Sequence, residues 1–175
     1  MEDHLKSLIR NVPNFPSKGI VFRDITTLLK NPEAFHLTGE ALFGLTQTLN
    51  VDVVVAIESR GFVMGSLLAE RHRAGLVLVR KPGKLPADTI SKSYDLEYGS
   101  GTLEMHLDAI SPGDRVLIHD DLLATGGTVK AACELVETAG GQIVGINFIV
   151  ELAFLNGRLL LDRYDITTLV RYDQE

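Results

Sequence analysis

Val116-Leu117-Ile118-His119-Asp120-Asp121-Leu122-Leu123-Ala124-Thr125-Gly126-Gly127-Thr128 reads as a hydrophobic strand that runs into two adjacent carboxylates and then into a glycine-rich turn. Thr128 opens an apolar-periodic stretch that includes Val129, Ala132, Cys133 and Val136, the spacing of a helix. Each part has its own chemistry. Backbone N–H groups at a glycine-rich helix start attract phosphate through unsatisfied donors and the helix dipole. Carboxylates would repel that phosphate on contact, but a few residues upstream they can accept hydrogen bonds from hydroxyls of the same ligand. The stretch therefore reads as a sugar-phosphate clamp with hydroxyls at Asp120 and Asp121 and phosphate at the turn. A receiver-like Mg²⁺ pocket or a plain helix cap are the other readings of two aspartates at a strand end.

Working outward, strands alternate with helices. Val51 to Ile57 is a β-branched apolar run, Phe62 to Arg73 a helix, and Gly75 to Val79 a second strand. Arg80 to Ser100, with Pro82, Gly83, Pro86 and Gly99, reads as a long polar loop, and Leu103 to Leu107 as a strand at its far end. Arg115 to His119 is the opening strand, Gly126 to Ala139 its helix, Gln142 to Val150 the next strand and Ile166 to Val170 the last. The expected fold is α/β, a mostly parallel central sheet flanked by helices, with ligands beyond the carboxyl ends of the strands. Three loops leave that edge: Glu58 to Gly61, Arg80 to Ser100 and Asp120 to Thr128. The N-terminal segment, with Leu5, Leu8 and Ile9 at helical spacing and a second helix from about Pro32 to Leu49, is expected to cover the site.

The 175 residues are expected to form one domain over 1–175, with 45% hydrophobic and 23% charged residues, a globular balance. No apolar run is long enough to cross a bilayer, and Glu2, Asp3 and Lys6 make the start unlike a secretory signal. No membrane partner is expected, and the location is expected to be cytoplasmic. The single cysteine, Cys133, fits a reducing compartment and reads as a buried helix residue. A net charge of −6 argues against nucleic acid as a partner. The distribution says more. Arg71, Arg73, Arg80, Lys81, Lys84 and Lys92 form a local basic stretch against the single Asp88, which suits a small anionic ligand.

With these residues, the chain resembles the type I phosphoribosyltransferases, and within them the branch that acts on adenine. The resemblance rests on Gly19-Ile20-Val21-Phe22-Arg23-Asp24-Ile25, Glu58-Ser59-Arg60-Gly61-Phe62, Arg80-Lys81-Pro82-Gly83-Lys84-Leu85-Pro86, Tyr94-Asp95-Leu96-Glu97-Tyr98-Gly99 and the opening stretch, in that order. It implies the fold of that family, with a small hood from about residues 1–35 over the base. It implies transfer of the 5-phosphoribosyl group of phosphoribosyl pyrophosphate to adenine, giving AMP and pyrophosphate, with Mg²⁺ bound mainly through substrate and water, and a homodimer.

The resemblance also implies roles. Asp120 and Asp121 would take the ribose hydroxyls, and Ala124, Thr125, Gly126, Gly127 and Thr128 the 5-phosphate. Glu58, Ser59 and Arg60 would form a pyrophosphate loop containing a non-proline cis peptide; the planar fork of arginine suits phosphate oxygens. Lys81 and Lys84 would add positive charge where the leaving group becomes negative. Glu97 is the candidate acid or base for the purine ring, with Arg60 and Lys81 as the other catalytic residues. Val21, Phe22, Arg23 and Leu152 would bind adenine. His119 departs from the family pattern, which has a small aliphatic residue there; a structural role near a subunit contact is expected. Two rivals stay open: transfer to another purine such as xanthine, and a regulator that senses phosphoribosyl pyrophosphate.

Overall fold

The computed structural model describes residues 1–96 and 99–174. In chain order the elements are helix α1 (Glu2–Leu8), strands β1 (Arg10–Pro13) and β2 (Val21–Asp24), helices α2 (Thr26–Lys30) and α3 (Pro32–Thr46), strand β3 (Val53–Ile57), helix α4 (Gly61–His72), strand β4 (Gly75–Val79), strands β5 (Thr89–Leu96) and β6 (Gly99–His106), strand β7 (Arg115–Leu123), helix α5 (Gly127–Thr138), strand β8 (Gln142–Leu152), two 3₁₀ turns (Ala153–Leu155 and Gly157–Leu161) and strand β9 (Ile166–Tyr172). The main sheet has the order β4-β3-β7-β8-β9, and every pairing in it is parallel. That is the α/β architecture expected from alternating apolar runs.

Alternation along β7 divides the interior. Val116 and Ile118 join a cluster with Val129, Ala132, Cys133 and Val136 of α5. Leu117, between them, joins a second cluster with Leu5, Leu28, Leu42, Met64 and Leu68 on the opposite face. Both faces of β7 are covered, which is why its sequence is continuously apolar rather than alternating. The side chain of Asn31 starts α3 by accepting from the N–H groups of Glu33 and Ala34 at 3.0 and 3.1 Å. Cys133 is buried, as expected, and burial pushes its thiol up to about 12.

Several boundaries differ from the sequence reading. β7 does not stop at His119; it continues through both aspartates to Leu123, because β8 keeps pairing alongside it as far as Glu151. Within the expected loop at 80–100, Thr89–Leu96 is instead strand β5, paired antiparallel with β6 from Thr89 opposite His106 to Leu96 opposite Gly99. Along β5 the polar run Ser91, Lys92 and Ser93 breaks the apolar pattern, although Ile90, Tyr94, Leu103 and Met105 of the hairpin pack into the α5-side cluster. The N-terminal segment also contains an unexpected hairpin, β1 with β2. Leu5, Ile25 and Leu28 of the same segment enter the core, and α3 packs on α4, β8 and β9 rather than over the site.

Gly65 sets how closely α4 approaches the sheet. A Cβ there would lie 2.6 Å from Cβ of Ala56 in β3. A helix-interior alanine ordinarily gains up to about 1 kcal/mol over glycine, but here a fixed strand residue blocks it. Gly65→Ala is expected to lower the unfolding free energy by about 1–3 kcal/mol, read as a fall in the urea midpoint; a rise would refute the close-packing account.

Candidate active site

The carboxyl ends of β3, β4 and β7 deliver three loops to one edge of the sheet. They enclose a cleft of about 360 Å³ lined by Glu58, Ser59, Arg60, Lys81, Tyr94, Leu103, Asp120, Asp121, Leu122 and Thr128. A smaller adjoining hollow of about 70 Å³ is lined by Asp120, Leu122, Leu123, Ala124, Thr125, Gly126, Thr128 and Val129. Residues separated by up to seventy positions in the chain thus meet at one place, as parallel topology requires.

At the floor, Asp120 and Asp121 are 8% and 5% exposed. Asp120 Oδ1 accepts from the Asp121 N–H at 2.9 Å, and Arg60 Nε donates to Asp121 Oδ2 at 2.5 Å. Burial raises the Asp120 pKa well above its ordinary value, and the neighbouring Asp121 charge adds to the rise while Arg60 opposes it. Gly61 permits the crowding: a Cβ there would lie 3.0 Å from Asp120 Oδ1 and 3.1 Å from the His119 carbonyl oxygen.

Beyond the aspartates the chain turns at Gly126, with φ +87°, and α5 begins without a side-chain cap. Its first-turn N–H groups have no intrahelical acceptor and face the smaller hollow, which makes an anion site of the helix start.

The opposite wall is cationic and braced by a carboxylate. Glu58 Oε1 and Oε2 accept from Arg80 Nη2 and Nε at 3.1 and 3.3 Å, and Oε2 accepts from the Lys81 N–H at 2.9 Å. Burial works to raise the Glu58 pKa, but the Lys81 N–H and Arg80 outweigh it and the result is lowered. The peptide bond from Glu58 to Ser59 is cis, as expected from the resemblance. Glu58 therefore ties two loops together through its side chain. Lys81 lines the cleft. Lys84 does not: it is exposed and its carbonyl accepts from Arg80 Nη1 at 3.1 Å. Arg80 also exchanges backbone hydrogen bonds with Glu104 at 2.9 and 2.7 Å. Arg80, Glu104 and Tyr94 were not singled out for the site from sequence; the pairing of Arg80 with Glu58 had only charge complementarity to signal it.

Val21, Phe22, Arg23 and Leu152 lie beside the cleft rather than along its lining. The Phe22 ring stands edge-on to Phe15, centroids 5.2 Å apart, with the Arg60 guanidinium 5.1 Å from its own centroid. Arg23 is 7% exposed; it donates to Asn11 Oδ1 at 2.5 Å and stacks 4.1 Å from the Tyr172 ring, and Tyr172 pairs with Leu152 across the sheet. Arg60 is the link between this aromatic group and the aspartates. Glu97 lies outside the described residues.

His119 is not at the surface. It is fully buried, its Nδ1 lies 2.7 Å from Asn147 Oδ1, and its Cδ2 lies 3.7 Å from where a Gly65 Cβ would be. Burial first of all pushes its pKa down to about 4. The folded value is below the unfolded one of about 6.5, so the contribution to stability is present above pH 6.5 and is lost as pH falls toward 4. Between pH 7 and pH 5 this site is expected to account for about 2 kcal/mol of lost stability. His119→Val is expected to remove that part of the pH slope in urea unfolding; an unchanged slope would dispose of the linkage.

A family model described as phosphoribosyl transferase domain matches residues 24–169. Among curated proteins, adenine phosphoribosyltransferase from Rubrobacter xylanophilus is 54% identical over 169 residues, covering 96% of this chain and 91% of that protein. Among solved structures, adenine phosphoribosyltransferase from Thermoanaerobacter pseudethanolicus has a TM-score of 0.96 at 49% identity, covering 98% of this chain and 100% of that one. The Saccharomyces cerevisiae adenine phosphoribosyltransferase, solved with adenine and an imino-altritol bisphosphate, has a TM-score of 0.90 at 40% identity, covering 96% of this chain and 97% of that one.

Proposed function

The chain belongs to the phosphoribosyl transferase domain family, and from that premise we propose that it is an adenine phosphoribosyltransferase. It moves the 5-phosphoribosyl group of phosphoribosyl pyrophosphate to adenine, giving AMP and pyrophosphate. The observation that carries this reading is one cleft with two chemically different halves: Asp120 and Asp121, with Arg60 on Asp121, beside an uncapped helix start, and Lys81 on the wall that Glu58 and Arg80 brace.

The halves divide the substrate. Ribose hydroxyls donate to Asp120 and Asp121, and the 5-phosphate sits on the N–H groups from Ala124 to Thr128, with the hydroxyls of Thr125 and Thr128 helping. Ser59, Arg60 and Lys81 face the pyrophosphate, with Lys84 adding charge from the rim. The bond from ribose C1 to the pyrophosphate oxygen breaks, a bond from C1 to a purine ring nitrogen forms, and the ring proton leaves. Cations placed where the leaving group gains charge lower that barrier. Glu97 enters as the partner of the ring proton from the sequence resemblance alone. Backbone groups of Val21 and Arg23, with Phe22 and Leu152, read the base; a 6-amino group presents hydrogen-bond polarity opposite to a 6-oxo group.

Mg²⁺ belongs to the reading as an ion carried by substrate. Among the described residues no group of three or more His, Cys, Asp or Glu could hold a metal, and Asp121 is engaged by Arg60. Carried by the substrate, the ion would supply charge neutralisation of the leaving group. The chain works as one domain, in the cytoplasm, as a homodimer. No described helix is long and apolar enough to cross a membrane. Leu155, Leu159 and Leu160 expose 40%, 74% and 47% of their surface, which supports a partner subunit.

Adenine, hypoxanthine, guanine and xanthine, each incubated with phosphoribosyl pyrophosphate with and without Mg²⁺, test the reading. AMP from adenine with Mg²⁺ is expected, with slower turnover in Glu97→Gln; consumption of a 6-oxopurine in preference would overturn the choice of base. A second outcome concerns pH. Arg60 opposes the rise in the Asp120 pKa, so Arg60→Ala is expected to move the acid-side loss of ribose 5-phosphate binding to higher pH in calorimetry. An unshifted profile would show that Arg60 does not tune the pair.

A further inference from the structure

The 3₁₀ turn Gly157–Leu161, which follows β8, lies directly behind the loop from Ala124 to Thr128. A Cβ at Gly157 would overlap the Ala124 carbonyl oxygen and lie 3.1 Å from the Gly126 nitrogen; one at Gly126 would lie 2.6 Å from the Gly157 carbonyl oxygen. The two backbones touch with no side chain between them. The next residue, Arg158, is clamped. Its Nε and Nη2 donate to Glu151 Oε1 and Oε2 at 2.7 and 2.8 Å, and its Nη1 donates to the Ile166 carbonyl at 3.1 Å. Glu151 is 3% exposed and also accepts from Thr168 Oγ1 at 3.2 Å. Leu161, at the far end of the turn, is fully buried in the α5-side cluster.

We propose that Glu151 and Arg158 are positioning residues: their paired hydrogen bonds fix Gly157 against Ala124 and Gly126, and so hold the loop's N–H groups in the geometry that takes the 5-phosphate. The inference rests on the phosphoribosyl reading of the cleft. A bidentate arginine–carboxylate pair has one geometry and transmits position as well as energy, and the contact it enforces is backbone on backbone, which has no soft side chain to absorb a shift. The opposite wall is braced by a different pair, Glu58 with Arg80. The two halves of the cleft are thus held independently, and releasing Arg158 acts on the phosphate half alone.

Calorimetry of the full chain with ribose 5-phosphate, and separately with pyrophosphate and Mg²⁺, distinguishes this from general destabilisation. Arg158→Ala is expected to weaken ribose 5-phosphate about tenfold, as loss of a charged hydrogen-bonded pair ordinarily does, with pyrophosphate changed less than about twofold. Glu151→Gln and Arg158→Lys should fall between Arg158→Ala and the unaltered protein. If Arg158→Ala melts before assay temperature, those two milder variants carry the test. Unchanged ribose 5-phosphate binding in folded variants, or equal weakening of both ligands, overturns the inference. An unaltered protein that binds ribose 5-phosphate but makes no AMP overturns the proposed reaction and leaves the bracing role measurable; one that binds no ribose 5-phosphate overturns both.

Discussion

Two carboxylates buried side by side at the end of a central parallel strand are the constraint on which the rest of this structure depends. Burial disfavours the charge of each, and proximity disfavours both being charged at once. Three features offset that cost: the Arg60 guanidinium on Asp121, the Asp121 N–H turned back to Asp120, and an open cleft in front. Arg60 can reach only because α4 starts immediately after it, with a glycine where a side chain would strike Asp120. A loop between β3 and α4, whose length and composition would be free in another protein, is here fixed by the end of β7.

That constraint accounts for the asymmetry of the cleft. Anionic oxygens of a ligand are excluded from the aspartates and must go elsewhere, either to the helix start or to Lys81. In the proposed reaction its hydroxyls go to the floor between those two anion positions. Each wall has its own brace that does not touch the floor, Glu58 with Arg80 on one side and Glu151 with Arg158 on the other. Both braces pair a carboxylate with an arginine that also donates to a backbone carbonyl.

How much of this was legible in the sequence follows from what kind of signal each part leaves. The sheet strands were readable because burial on both faces demands continuous apolar runs, and the strand–aspartate–glycine-turn–helix sequence was readable because its parts are contiguous. Strand β5 was not, since its exposed residues Ser91, Lys92 and Ser93 read as loop while only Ile90 and Tyr94 turn toward the core. Strand continuation through Asp120 and Asp121 was hidden for a related reason: pairing with β8 overrides the poor strand propensity of aspartate. The braces were illegible because Glu58 with Arg80 and Glu151 with Arg158 are long-range or irregular pairs, and a lone charge in a sequence looks the same whether it is solvated or clamped. The motif containing Lys84 was found, yet only Lys81 of its two lysines lines the cleft, a distinction that depends on how the Arg80 side chain holds the loop.

His119 shows why a polar side chain can sit one residue before the aspartates without joining them. Alternation turns it to the opposite side of β7 from Asp120, in register with Ala56 on one side and Asn147 on the other. Asn147 Oδ1 can only accept, so the neutral ring must donate from Nδ1, which leaves Nε2 as a buried acceptor without a partner among the described residues. An unmatched lone pair costs less than a buried charge, and protonating Nε2 would create that charge with no acceptor to receive it. The ring therefore stays neutral although Asp121 lies nearby, and its electrostatic effect on the cleft is that of a dipole rather than a cation. The compensation of Asp120 and Asp121 thus falls to Arg60, which approaches from the open side where a ligand can compete for it.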